Sequence, residues 1–245
     1  MAPEVNRASY LSHRLARPSF SGLGRRRIFA QAVFSALLAC GLPGTAAIAK
    51  AGTPPVKIIA FGDSLTAGAG LRAKDTFPAV LEDALRKEGY NVTVINAGVS
   101  GETAPGGLAR VEWTIGDGAS GAILELGAND MLRGMNPEVT KAALDEILAR
   151  FSARGIKVLI AGMKATPSHG PDYKARFDSI YPELARKYDA PLYPFFLDGV
   201  AGVPELNQKD GLHPTSAGVA RIVKGIMPMV RNMLNQMDAK AVGSQ

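Results

Sequence analysis

Five short apolar runs, alternating with stretches of helical periodicity, constrain this chain more than any other feature. They are Val56–Phe61, Val92–Asn96, Ala122–Leu126, Lys157–Ala161 and Leu192–Pro194. The first is rich in β-branched residues and apolar on both faces, the pattern of a strand buried between two layers. Between them the spacing predicts helices over 77–88, 103–113, 137–154 and 172–188. A closing helix follows over 216–237, with Val219, Ile222, Val223 and Ile226 on one face. Gly89 and Gly155 stop two of these helices and Pro137 opens a third, each in its favoured place. Such alternation predicts an α/β fold, a three-layer sandwich around a parallel sheet.

Sheets of this kind carry their chemistry beyond the carboxyl ends of the strands. After the first run the chain reads Gly62-Asp63-Ser64-Leu65-Thr66, which makes Ser64 a candidate nucleophile. A helix cap at Asp63 or Ser64 would explain the same residues. Gly98 closes the second run, Asn129 follows the third, and Asp210 and His213 stand in the last loop. Each has a bland reading taken singly: Gly98 a turn residue, Asn129 an Asx turn, Asp210 a loop start, His213 a surface histidine beside Pro214. Together they supply an acyl-transfer site. His213 can remove the Ser64 proton and return it to the leaving group. Asp210, three residues earlier, can fix the ring's tautomer and stabilise the imidazolium. The N–H groups of Ser64 and Gly98 and the side-chain amide of Asn129 are the expected oxyanion donors. His169, the other histidine after residue 49, has no acid at comparable spacing.

The formal charge of +6 hints at nucleic acid, but its distribution argues against that partner. Six of the 28 Lys and Arg precede residue 50, against one of the 22 acids, which leaves 22 basic and 21 acidic residues in the remainder. The early arginines precede an apolar run from Ile28 to Leu42 and an Ala47-x-Ala49 ending, so residues 1–49 read as a secretory signal peptide. The apolar run from Ile28 to Leu42 is short for a membrane span. Arg26-Arg27-Ile28-Phe29 resembles a twin-arginine signal. Leu37-Leu38-Ala39-Cys40 offers an alternative, a lipobox whose cysteine would carry a lipid anchor. Residues 50–55 then form a linker, 56–237 the domain, and 238–245 a disordered tail. The expected location is periplasmic or secreted. Cys40 is the only cysteine, which excludes a disulfide within the chain.

Four ordered blocks carry a family resemblance: Phe61-Gly62-Asp63-Ser64-Leu65, Asn96-Ala97-Gly98-Val99-Ser100-Gly101, Gly127-Ala128-Asn129-Asp130 and Asp210-Gly211-Leu212-His213-Pro214. They resemble those of the SGNH (GDSL) hydrolase family, over nearly all of residues 56–236. Glu125-Leu126-Gly127 and Tyr193-Pro194-Phe195-Phe196 are similar to its exported bacterial branch of thioesterases, arylesterases and lysophospholipases. The resemblance implies a flavodoxin-like fold with a central five-stranded parallel sheet. It implies Ser64 as nucleophile, Gly98 and Asn129 completing the oxyanion hole, Asp210 as orienter and His213 as base. The implied activity is hydrolysis of carboxylic ester and thioester bonds of acyl or aryl substrates, lysolipids included, through an acyl-serine and without cofactor. Ala128 stands where many relatives carry glycine, and Met131 is bulkier than the glycine common there, which would narrow an acyl groove.

Met131, Leu132 and Met135 follow Asn129, and Met163, Pro167 and Tyr173 flank the next crevice loop. Methionines suit acyl chains of variable shape, so Met131, Leu132, Met135, Pro167 and Tyr173 are the expected substrate contacts. Met131 and Leu132 are expected in a loop. A carbohydrate O-acetyl esterase of the same family is the nearest alternative, and would want a more polar groove. A catalytically silent lipid carrier is another. Residues 62–70 have neither a dinucleotide fingerprint nor a P-loop lysine, and the chain beyond residue 49 has too few His and Cys for a zinc site.

Overall fold

The computed structural model describes residues 54–116 and 118–237. The expected signal peptide, Cys40 and the tail over 238–245 lie outside the described residues. β1 (Val56–Gly62) buries its last five residues completely, as a run apolar on both faces must. It pairs residue for residue with β2 (Val92–Gly98), from Val56 opposite Val92 to Gly62 opposite Gly98. On its other side lies β3 (Ala119–Glu125), then β4 (Lys157–Ala161) and the two-residue β5 (Leu192–Tyr193). All four pairings are parallel and the order is β2-β1-β3-β4-β5. The winding therefore reverses between β1 and β3, where an open α/β sheet presents its crevice.

The helices cover both faces. α2 (Phe77–Lys87) packs with α8 (Ser216–Asn235), whereas α3 (Ala104–Thr114) packs with α5 (Pro137–Ala153), itself in contact with α7 (Ile180–Tyr188). Fully buried phenylalanines lock these layers. Phe77 meets Phe196 edge-on at 5.0 Å, and Phe61 meets Phe151 at 5.9 Å. Such pairs contribute roughly 0.5–1.5 kcal/mol beyond the area they bury.

Three of the departures from the boundaries read in the sequence have a physical reason. β2 extends to Gly98 instead of ending at Asn96, because the whole of β1 is available to pair with it. β3 starts three residues early, at Ala119, where Ala119 and Gly121 are recruited by Lys57 and Ile58 of β1 despite low strand preference. The helix expected over 172–188 is two, α6 (Pro171–Asp178) and α7. Pro182 has no N–H to give to the Asp178 carbonyl, so the ladder breaks at Ser179.

Candidate active site

Ser64 begins the four-residue helix α1 (Ser64–Ala67) directly after β1, with Asp63 as its cap. Asp63 Oδ1 accepts the Leu65 N–H at 2.9 Å, which bends the chain and leaves the Ser64 side chain half-buried at the sheet edge. The loop before α8 brings His213 to it. His213 Nε2 lies 2.8 Å from Ser64 Oγ, and Nδ1 lies 2.7 Å from Asp210 Oδ2. Asp210 Oδ1 also accepts the N–H groups of Leu212 and His213, at 2.9 and 3.0 Å. The hydrogen bond with His213, and then the backbone bonds, hold the Asp210 carboxyl well below the usual carboxylate range.

Asn129 lies on α4 (Ala128–Leu132), just after β3. Its Nδ2 donates to Asp63 Oδ2 at 3.0 Å, which fixes the amide and leaves its second hydrogen for the cavity. Asp63 thus ties the nucleophile turn to Asn129 with one carboxyl group. It is fully buried, and burial pushes its pKa up to about 6, although the Leu65 and Asn129 bonds oppose the shift. Beneath it Glu125 is also fully buried. Glu125 Oε2 accepts from Thr66 Oγ1 at 2.7 Å, and burial raises this carboxyl far above its ordinary value, with the Asp63 charge adding to the shift. Asp130 accepts from Ala104 N at 2.9 Å and Thr140 Oγ1 at 3.0 Å, anchoring α4 to α3 and α5.

The expectation for Gly98 does not survive the geometry. Its N–H donates to Asn96 Oδ1 at 3.1 Å, and the residue is the last of the β1–β2 ladder. A Cβ there would come within 2.7 Å of Ala67 Cα and Asp63 O, so Gly98 is a packing glycine that lets α1 settle on β2. The backbone donor on the cavity side is three residues on. Gly101 lines the cavity, adopts φ +79°, and its N–H makes no hydrogen bond to another described residue. The same holds for the N–H of Ser64. The signal for Gly101 was present in Gly98-Val99-Ser100-Gly101, but choosing between the two glycines required knowing where the strand ends.

A cavity of about 460 Å³ opens beside Ser64 and His213. Its apolar wall comes from Leu65, Met131, Leu132, Met163, Phe195 and Leu197. Of the five expected substrate contacts, Met131 and Leu132 are on the wall, and they lie on α4 rather than in a loop. Met135, Pro167 and Tyr173 are not on it. Tyr173 instead packs between His169, tilted at 4.8 Å, and Phe177, stacked at 6.0 Å. Phe195, Leu197 and Leu212 were missed because they follow β5 or flank His213 with no periodicity to mark them.

Residues 60–221 match the sequence profile of the GDSL-like lipase/acylhydrolase family. Esterase TesA of Pseudomonas aeruginosa is 36% identical over 178 residues, 72% of this chain and 89% of that protein. An arylesterase of Vibrio mimicus is 39% identical over 159 residues, 64% of this chain and 80% of its own length. Among solved structures, AlinE4, described as an SGNH-hydrolase family esterase, superposes with a TM-score of 0.63 at 46% identity, covering 74% of this chain and 98% of that one.

Proposed function

This chain belongs to the GDSL-like lipase/acylhydrolase family, and we propose that it hydrolyses carboxylic esters and thioesters of apolar acyl or aryl groups through an acyl-Ser64 intermediate. The observation that carries this reading is the continuous relay from Ser64 Oγ to His213 at 2.8 Å and from His213 to Asp210 at 2.7 Å, opening on an apolar cavity. With Nδ1 protonated toward Asp210, Nε2 accepts the Ser64 proton as Oγ attacks the carbonyl carbon. The carbonyl oxygen becomes an oxyanion held by the N–H groups of Ser64 and Gly101 and by Asn129 Nδ2. The tetrahedral intermediate collapses as His213 gives the proton to the departing alcohol or thiol. Water repeats the sequence on the acyl-enzyme and regenerates Ser64.

The relatives named esterase, arylesterase and lysophospholipase support the ester class. The apolar wall supports medium or long acyl groups over acetyl. Among the described residues no helix is long and apolar enough to cross a membrane. Residues 1–49 we read as an export signal that places the enzyme in the periplasm or outside the cell, with a lipid anchor at Cys40 as the alternative.

The test is hydrolysis of p-nitrophenyl esters from acetyl to palmitoyl, with lysophosphatidylcholine in parallel, for the wild type and Ser64→Ala. The expected result is a wild-type optimum beyond the shortest chains and a loss of roughly 10⁴-fold or more in Ser64→Ala. Activity confined to acetyl esters would favour a sugar deacetylase, and comparable rates in the two proteins would remove Ser64 from the mechanism.

A further inference from the structure

The proposed nucleophile and base come from opposite ends of the domain's sequence, yet the relay needs their atoms in contact. One side chain spans the gap. Gln208 stands two residues before Asp210. Its Nε2 donates to Ala69 O at 2.8 Å, on the turn that follows α1, and to Pro214 O at 2.9 Å, immediately after His213. Both amide hydrogens are thereby used, which fixes the side chain's orientation. Oε1 then faces Gly70, where a Cβ would run into it. Gly70 also adopts φ +75°, so glycine is doubly required at the point of closest approach. The backbone N–H of Gln208 donates to His213 O at 2.7 Å, closing the base loop on itself.

Among the described residues, the other hydrogen bond between residues 62–70 and 208–214 is that of His213 with Ser64. Asp210, Gly211 and Leu212 are exposed, so packing alone does not hold this loop at its distance from α1. We propose that Gln208 is a positioning residue, a two-pronged donor that sets the separation between the turn carrying Ser64 and the loop carrying His213. The proposal rests on the reading of Ser64 and His213 as nucleophile and base. Its consequence is kinetic, since a misplacement of about 1 Å in a reacting pair costs on the order of 10²-fold in rate.

Gln208→Glu has the same shape but, ionised, sets oxygens against the Ala69 and Pro214 carbonyls and donates nothing. Protonated, it recovers one donor. Gln208→Met removes both donors with no charge. Steady-state kinetics of wild type, Ser64→Ala, Gln208→Glu and Gln208→Met on one p-nitrophenyl ester, across pH, test the proposal. Both Gln208 variants are expected to lose about 10- to 100-fold in kcat at alkaline pH with KM nearly unchanged. The deficit of Gln208→Glu relative to wild type should shrink as the pH falls and the new carboxyl takes a proton, while that of Gln208→Met stays constant. Wild-type kcat in either variant at alkaline pH, or a deficit in Gln208→Glu that is the same at every pH, would overturn the proposal and leave the Ser64 reading intact. Full activity in Ser64→Ala would overturn both. Gln208→Met decides the matter if Gln208→Glu does not fold.

Discussion

Asp63 and Asp210 make the same local turn, each accepting the N–H two residues ahead, from Leu65 and from Leu212, both at 2.9 Å. Their surroundings are opposite. Asp63 is fully buried, with its acidity weakened by desolvation, whereas the Asp210 side chain is 45% exposed and its acidity is strengthened by His213. The turn that carries Ser64 is part of the core, tied through Asp63 to Asn129 and through Thr66 to Glu125. The loop that carries His213 is a surface loop held by hydrogen bonds, its own and the one from Gln208 to Ala69 O. One motif thus serves two ends: at Asp63 it couples the site to stability, and at Asp210 it serves orientation with little demand on the fold.

The largest expected effect comes from breaking the exposed end. Asp210→Asn keeps an oxygen for the Leu212 and His213 N–H groups but presents a donor to Nδ1, which favours the wrong tautomer of His213. A loss of roughly 10³- to 10⁴-fold in kcat is expected, with a thermal midpoint close to wild type. Steady-state kinetics beside a melting curve check both halves, and a large drop in melting temperature would erase the contrast with Asp63.

Asp63→Asn tests the buried end through pH. The folded-state pKa of Asp63 is raised from 3.8 to about 6, so the folded protein binds this proton more tightly than the unfolded chain. Its contribution to stability is therefore complete below about 3.8 and is lost as the pH rises through about 6. Asparagine has no such loss. Urea titrations at both ends of that window should show wild type losing stability relative to Asp63→Asn on rising pH, by an amount on the order of 3 kcal/mol. Parallel pH dependence in the two proteins would mean that burial does not hold the Asp63 proton. The variant should also lose kcat, because an amide at 63 puts an NH2 donor in place of one of the two oxygens that accept from Leu65 and Asn129.

The smallest effect is expected where α1 rests on β2. Gly98→Ala forces a methyl against the Ala67 backbone and should destabilise by about 1–3 kcal/mol. Chemical denaturation measures it, and kcat per folded molecule should hold near wild type. A selective loss of kcat would return Gly98 to the list of oxyanion donors.

How much of this was legible in the sequence follows the same division. The central strands β1, β3 and β4 were legible because burial on both faces forces unbroken apolar runs such as Ile58–Phe61. Ser64, Asn129, Asp210 and His213 were legible as chemical types placed after strands or before the last helix, and the fold brings them together. Gly98 and Gly101 could not be told apart, because a strand's last residue is set by its ladder partner and not by its own composition. Met135, Pro167 and Tyr173 shared the apolar character of Met131, but whether a side chain reaches the cavity depends on helix phase and on loop packing such as the His169–Tyr173–Phe177 ring contacts. Asp63 was visible as a cap, and its second bond, to Asn129 across 66 positions of sequence, was not.

The most direct measurement is covalent. The enzyme is treated with an alkyl fluorophosphonate, digested, and the modified peptide identified by mass spectrometry, for wild type and His213→Ala. A single adduct on Ser64 is expected, forming rapidly in wild type and greatly slowed in His213→Ala. An adduct on Ser100, which lines the same cavity, or labelling of Ser64 at an equal rate without His213, would contradict it.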